Sequence, residues 1–268
     1  MKNLFSHRTF RFIDQSLPSM IDQFAIDDTL TALVGQKKTI ETIRYWVVPQ
    51  TIALGIQDQK LPFLQEGLLF LKKEGYTPVF RPSGGLGVVL DEGIINLSLH
   101  LPEKDHSLSI DRGFLAMVTL VKEWLFPYIN PIDVKEIKES YCPGKYDLSV
   151  DGKKFAGLSQ RRIKGGVGIF IYIAVHGSGK KRAELMKKFY EISIKNEQTP
   201  ITYPSIQPDV MASVSELSNQ SLTCEQLKKD LLTLFVRNDN TLDTRFLQTD
   251  EWAVFQFYKK RMEERQKI

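Results

Sequence analysis

Ser140-Tyr141-Cys142-Pro143-Gly144-Lys145-Tyr146-Asp147-Leu148-Ser149-Val150-Asp151-Gly152-Lys153-Lys154-Phe155-Ala156-Gly157-Leu158-Ser159 is the stretch on which the reading of this chain turns. Its second half reads as a β-hairpin, with strands over 146–150 and 154–159 joined by Asp151-Gly152. A two-residue Asp-Gly connection tolerates the positive φ that such turns demand, so the two strands are antiparallel neighbours. The first half holds Cys142 in a Pro-Gly turn, off regular structure, where a thiol can be presented to a substrate. Lys154 follows across one short strand and one tight turn, close enough in sequence to lie beside Cys142 and lower its pKa. The thiolate, not the thiol, is the nucleophile, so the pattern points to covalent acyl chemistry.

Outward from the hairpin the chain alternates short strands and helices. A helix is expected over 20–35, where Ile21, Phe24, Ala25, Asp28, Leu30 and Leu33 fall at near-helical spacing and Gly35 stops it. Strands follow over 42–48 and 51–56, parted by Pro49. A helix over 62–74 has Pro near its first turn and Gly75 after its end. Short strands are expected over 78–81, 86–90 and 94–101. The last sets Ile95, Leu97 and Leu99 on one face against Asn96, Ser98 and His100 on the other. A long helix covers 108–128, and residues 134–139 read as a strand leading to Cys142. Residues 168–176 read as a strand buried on both faces, and 180–195 as a helix. After a proline-bearing connection over 199–208, helices are expected over 213–219, 223–236 and 250–266, with Thr223 as an N-cap. The fold class is α/β of the α+β kind, with mainly antiparallel mixed sheets flanked by helices and no regular βαβ alternation. We expect one catalytic domain over 1–268, its C-terminal segment from about 209 to 268 mainly helical.

The chain has 268 residues, a net charge of +4, two cysteines and four histidines. Cys142 and Cys224 belong to no CxxC or Cys/His cluster, and His7, His100, His106 and His176 lack the spacing of helical ligands, so no metal is expected. No cofactor is expected either. No apolar run approaches the roughly 20 residues that span a bilayer, and residues 1–12 lack the apolar core of a secretory signal. A cytoplasmic protein without membrane contact is expected. Lys153, Lys154, Arg161, Arg162, Lys164, Lys180, Lys181 and Arg182 form a basic concentration. No aromatic-interleaved motif accompanies it, so nucleic acid is not the expected partner. An acidic protein partner and a merely solvated face both stay open.

A second motif is Arg81-Pro82-Ser83-Gly84-Gly85-Leu86-Gly87-Val88-Val89-Leu90-Asp91-Glu92-Gly93-Ile94-Ile95-Asn96. Paired glycines let backbone approach a ligand closely, and their N–H groups can receive a carbonyl or phosphate. Taken with Asp151-Gly152-x-Lys154-x-Ala156-Gly157-x-Ser159-Gln160, and with the early run from Arg44 to Gly55, it resembles the lipoate-protein ligase and octanoyltransferase family. The resemblance spans roughly residues 20 to 195 and implies a biotin/lipoate ligase-like catalytic fold. It implies Lys154 as the functional lysine of the Gly-x-Lys motif, with Arg81, Ser83, Gly84, Gly85, Gly157 and Ser159 binding the acyl substrate. Ligases of the family work through an acyl-adenylate and often carry a histidine where this chain has Leu90; its transferases use a cysteine thioester. The stretch from Tyr141 to Ser149 is most similar to the lipoyl amidotransferase branch.

That branch implies Cys142 as nucleophile, glycine cleavage H protein as octanoyl or lipoyl donor, and lipoyl domains of 2-oxoacid dehydrogenase E2 subunits as acceptor. Backbone N–H groups near Gly157 or Gly85 are candidate oxyanion donors. An apolar slot for the eight-carbon tail would stabilise it by about 0.8 kcal/mol per buried CH₂. Transfer from octanoyl-acyl carrier protein, ATP-dependent ligation, and binding of lipoyl domains without turnover stay open as alternatives. Cys224, Lys153, Arg161, Arg162 and His176 read as structural, solvated or partner-facing, with His176 also a candidate tunnel residue or general base.

Overall fold

The computed structural model describes residues 5–17, 19–104 and 108–267. His106 and the first four residues of the N-terminal stretch lie outside the described residues. In chain order the elements are β1 (Thr9–Ile13), α1 (Met20–Gly35), β2 (Thr42–Trp46), β3 (Thr51–Leu54), α2 (Leu64–Lys73), β4 (Thr77–Phe80), β5 (Val88–Leu90), β6 (Ile94–Pro102), α3 (Ile110–Leu125) and β7 (Asp133–Val134). They continue as β8 (Leu148–Val150), β9 (Lys153–Ile163), β10 (Gly166–Ala174), α4 (Gly179–Ile194), α5 (Val214–Ser218), α6 (Cys224–Arg237), β11 (Thr241–Asp243) and α7 (Thr249–Arg265).

Eight strands form one sheet in the order β11-β1-β2-β6-β10-β9-β8-β7, and β4-β3-β5 form a second. The pairs β11/β1, β1/β2 and β3/β4 are parallel, and all other pairs are antiparallel. The Asp151-Gly152 turn forms as its residues require, at φ +49° and +76°. Lys164-Gly165 makes a second such turn, at +48° and +80°, between β9 and β10. β9 therefore runs on through Gln160, Arg161 and Arg162 where the sequence pattern ended it at Ser159. The expected strand over 134–139 shortens to Asp133–Val134. β1 and β11 go beyond the sequence reading, which assigned no strand to either stretch.

The alternation in β6 sorts its side chains as expected. Ile95, Leu97 and Leu99 join Met117, Val121 and Trp124 of α3 and Leu227 and Leu231 of α6 in one apolar core. Asn96, Ser98 and His100 face the other way, yet they too are buried, because α1 lies over that face. Where α1 meets β10, Gly166 is required: a Cβ there would stand 1.9 Å from the Thr31 carbonyl oxygen. α7 packs on the far side of α1. The helix is thus enclosed, and Asp22, Gln23, Asp27, Asp28, Thr29 and Thr31 are buried with its apolar residues. Thr29 and Thr31 satisfy their hydroxyls within the helix, on the carbonyls of Ala25 and Asp27 at 2.6 and 2.7 Å.

Candidate active site

The register of the central strands decides which side chains meet under α1. Trp46, Asn96, Tyr172 and Gly157 lie in one row across β2, β6, β10 and β9. Arg44, Ser98, Phe170 and Ser159 form the next row, and Thr42, His100, Gly168 and Arg161 the one after. A cavity of about 550 Å³, counted with its mouth, opens between the first two rows and Phe24, Asp27 and Asp28 of α1. Ala53, Val88 and Leu90 of the small sheet give it an apolar wall, and Arg81, Pro82 and Ser83 border it. Gly157 lines it and leaves room for the Tyr172 ring, which a Cβ at Gly157 would approach to 2.7 Å.

The loop after β4 brings the second motif to the first. Cys142 adopts φ +49°, a left-handed conformation uncommon outside glycine. Its Sγ accepts from the Leu86 N–H at 3.2 Å and lies 3.4 Å from Arg81 Nη2. Arg81 also donates to the Leu86 carbonyl at 2.8 Å and to Ser83 Oγ at 3.3 Å, and Ser159 Oγ donates to Ser83 Oγ at 3.3 Å. Gly85, at φ +97°, packs against this pair: a Cβ there would stand 2.5 Å from Arg81 Nη2 and 2.8 Å from the sulfur. Gly84 is exposed with open space around its Cβ position, and it is not among the cavity-lining residues.

Lys154 is fully buried and meets Cys142 differently from the sequence expectation. Its Nζ donates to the Cys142 carbonyl at 2.8 Å, the Tyr141 carbonyl at 3.3 Å and Ser140 Oγ at 3.1 Å, and pairs with Asp147 Oδ1 at 2.9 Å. The ammonium binds the peptide beneath the cysteine, and the sulfur takes its donors from Arg81 and Leu86. Asp147 Oδ2 accepts from the N–H groups of Gly144 and Ile137 at 3.0 and 3.2 Å, so one carboxylate ties lysine and turn together. Burial raises the Asp147 pKa, outweighing the opposing pull of Lys154. The sequence reading gave Asp147 no role, though its place three residues after Gly144 is a spacing suited to capping the turn.

Other site residues had little local signal. Asp27 pairs with Arg44 at 3.0 Å and lies 3.4 Å from His100, whose Nδ1 bonds Thr31 Oγ1 at 2.9 Å. Burial opposes ionisation of Asp27, yet Arg44 and His100 prevail and hold its carboxyl below the usual range. Burial keeps His100 below the ordinary histidine range. Asp28 pairs with Arg161 at 2.7 Å, and burial still pushes its carboxyl up to about 6. The one available hint was the adjacent pair Asp27 and Asp28 within a helix of apolar spacing, because aspartates normally stay out of cores unless paired.

The remaining candidates sit outside the cavity. Arg162 bonds Glu103 and the Leu108 carbonyl, and Arg161 bonds Asp28 and the Pro82 carbonyl, so both brace the fold while staying partly exposed. His176 follows β10, with its carbonyl accepting from Arg182 at 2.7 Å, and does not line the cavity. Arg182 in turn grips Asp91 with two bonds of 2.7 Å, which accounts for the aspartate of the second motif. Cys224 begins α6, its thiol donating to the Glu92 carbonyl at 3.3 Å and pushed up to about 12 by burial. Lys153 is exposed.

A profile of the lipoyl protein ligase A/B catalytic domain matches residues 19–236. The chain is 47% identical to an octanoyl-[GcvH]:protein N-octanoyltransferase of Lysinibacillus sphaericus, covering 99% of this chain and 97% of that one. It is 42% identical to a lipoyl-[GcvH]:protein N-lipoyltransferase of Listeria monocytogenes, over 97% and 95% of the two chains. In fold it is similar to a bi-partite lipoate protein ligase from Thermoplasma acidophilum, with a TM-score of 0.67 at 16% identity, over 95% of this chain and 93% of that one. No described helix is long and apolar enough to cross a membrane. With a profile spanning most of its length and relatives matching it nearly end to end, this enzyme belongs to the lipoyl protein ligase A/B catalytic-domain family.

Proposed function

We propose that the protein transfers an octanoyl or lipoyl group from the lysine of glycine cleavage H protein to the lysine of E2 lipoyl domains, in the cytoplasm, through a thioester on Cys142. The observation that carries this reading is the Cys142 sulfur faced by the Leu86 N–H and by the guanidinium of Arg81, a residue that also borders the partly apolar cavity. Those donors solvate an anionic sulfur where bulk water is partly excluded. The names of the relatives support the donor, and the fold relative described together with its E2 lipoyl domain supports the acceptor.

The Cys142 thiolate attacks the carbonyl carbon of the octanoyl-lysine amide. A C–S bond forms and the C–N bond breaks, the leaving lysine amine taking up a proton. The ε-amine of the acceptor lysine then attacks the thioester, forms the new amide, releases the thiolate and gives up a proton to solvent. Two displacements replace one direct exchange between amines. The acyl chain lies against Val88, Leu90 and Phe170, with Ser83, Ser159 and Gly157 lining the same space. Lys154 fixes the cysteine turn by holding the carbonyls of residues 141 and 142, and Arg81 holds both sulfur and glycine loop.

Intact-mass measurement after incubation with octanoylated H protein alone tests the reading. An octanoyl adduct is expected on the wild-type chain and not on Cys142→Ala, which is expected to lose transfer. Release of AMP with full activity in Cys142→Ala would overturn it in favour of ligation. An adduct from octanoyl-acyl carrier protein but not from octanoyl-H protein would reassign the donor.

A further inference from the structure

Behind the glycine loop, on the side away from the cavity, two buried polar groups have no part in the chemistry described so far. Tyr190 of α4 is 4% exposed and Asp58, in the short 3-10 turn after β3, is fully buried. Asp58 Oδ2 accepts from the Gly55 N–H at 2.7 Å, and Oδ1 accepts from the Tyr190 hydroxyl at 3.1 Å. The same hydroxyl accepts from the Gly87 N–H at 3.0 Å. Gly55 lies flush on the loop, since a Cβ there would stand 1.8 Å from the Gly85 carbonyl oxygen. The chain of contacts thus reaches both flanks of Leu86, whose N–H is one of the two donors on Cys142 Sγ.

We propose that Tyr190 and Asp58 are positioning residues that clamp residues 85–87 from behind so that the Leu86 N–H stays aimed at the Cys142 sulfur. Glycines on either side give that peptide unit no steric guidance of its own, so its orientation depends on external bonds. A peptide swung away by a fraction of a right angle loses most of its hydrogen bond to the sulfur. A buried aspartate whose only role was packing would be replaced favourably by an apolar side chain. Here its two oxygens each take a donor, one from the strand side and one from the helix side. Burial pushes Asp58 up to about 6, against the pull of the Gly55 N–H and Tyr190.

This inference rests on Cys142 as the nucleophile, and its test is chosen to be separable from that reading. Alkylation of Cys142 by iodoacetamide, followed by peptide mass spectrometry across pH, needs no octanoyl donor. Loss of one such donor corresponds to about a fivefold to tenfold change in an equilibrium. Tyr190→Phe is therefore expected to slow Cys142 alkylation near neutral pH by about that factor and to displace the profile to higher pH. In octanoyl transfer it is expected to lower kcat by a similar factor with KM for the donor carrier unchanged. A profile superimposable on wild type, with only a lowered unfolding midpoint, would overturn the clamp and leave Tyr190 a structural residue. Should Tyr190→Phe fail to fold, Asp58→Asn, which keeps volume and one acceptor, carries the same test: the profile moves or the clamp is wrong. Absence of an octanoyl adduct on the wild-type chain would sink the thioester without touching the alkylation result.

Discussion

Asp28 shows what a single carboxyl costs when packing decides its place. It is fully buried, paired with Arg161 at 2.7 Å, and pushed up to about 6 from an ordinary 3.8. A carboxyl raised in the fold penalises the native state wherever it is ionised: the penalty is full above about pH 6 and vanishes below the ordinary value. Asp28→Asn removes the penalty, so the stability of this variant relative to wild type is expected to be greatest near pH 7.5 and to shrink by about 1 kcal/mol at pH 5. Urea unfolding at both pH values measures this. A difference independent of pH would mean that Arg161 keeps the carboxyl ionised throughout. Asp28 also lines the cavity, and its Oδ2 has no hydrogen-bond partner among the described residues.

At the scale of elements, the end of α7 completes the small sheet. β4 is an edge strand, and the Gln266 side chain takes the place of a neighbour: Oε1 accepts from the Phe80 N–H at 2.8 Å and Nε2 donates to the Phe80 carbonyl at 2.9 Å. Phe80 precedes Arg81, so the last helix steadies the entry to the glycine loop. Gln266→Ala removes both bonds to Phe80 and a third from Nε2 to the Met262 carbonyl at 3.0 Å, and is expected to cost about 1–2 kcal/mol in urea unfolding, with Gln266→Glu, which keeps only the acceptor, falling between. Such ties explain what could be read in advance. The hairpin at Asp151-Gly152 and the two-faced strand β6 were legible because turn chemistry and alternation are local. Cys142 was tied to Lys154, and Arg81 to Gly85, by short spans of chain, so both neighbourhoods could be anticipated, though not that Lys154 would grip a carbonyl while Arg81 met the sulfur. β1 and β11 are short and pair only with distant partners, and α1 showed apolar spacing without any sign that α7 would close over its polar side. Asp27, Asn96 and Tyr172 enter the site through register between strands, and Asp58 and Tyr190 through packing of α4 on the loop, which no local pattern records.

For the molecule as a whole, the two ends of the chain are locked together. Arg11 of β1 meets both oxygens of Glu251 in α7 at 2.7 and 2.8 Å, the carbonyls of Arg245 and Phe246 at 2.8 and 2.7 Å, and Thr39 Oγ1 at 3.0 Å. Removing one member of a buried pair leaves the other uncompensated, so Glu251→Ala is expected to lose about 3–5 kcal/mol. Thermal unfolding would register it, and limited proteolysis should then cut first within α7; an unchanged melting temperature would contradict the assignment. The parallel seating of β1 between β2 and β11 has a further consequence for biosynthesis. Arg8 and Asn240, bonded to each other at 3.1 Å, are 232 positions apart. During synthesis β1 therefore stays half-paired until Thr241–Asp243 has been made, and α1 stays uncovered until α7 follows. Pairings that span this much chain form late, and until they do the apolar face that α1 buries is open to aggregation.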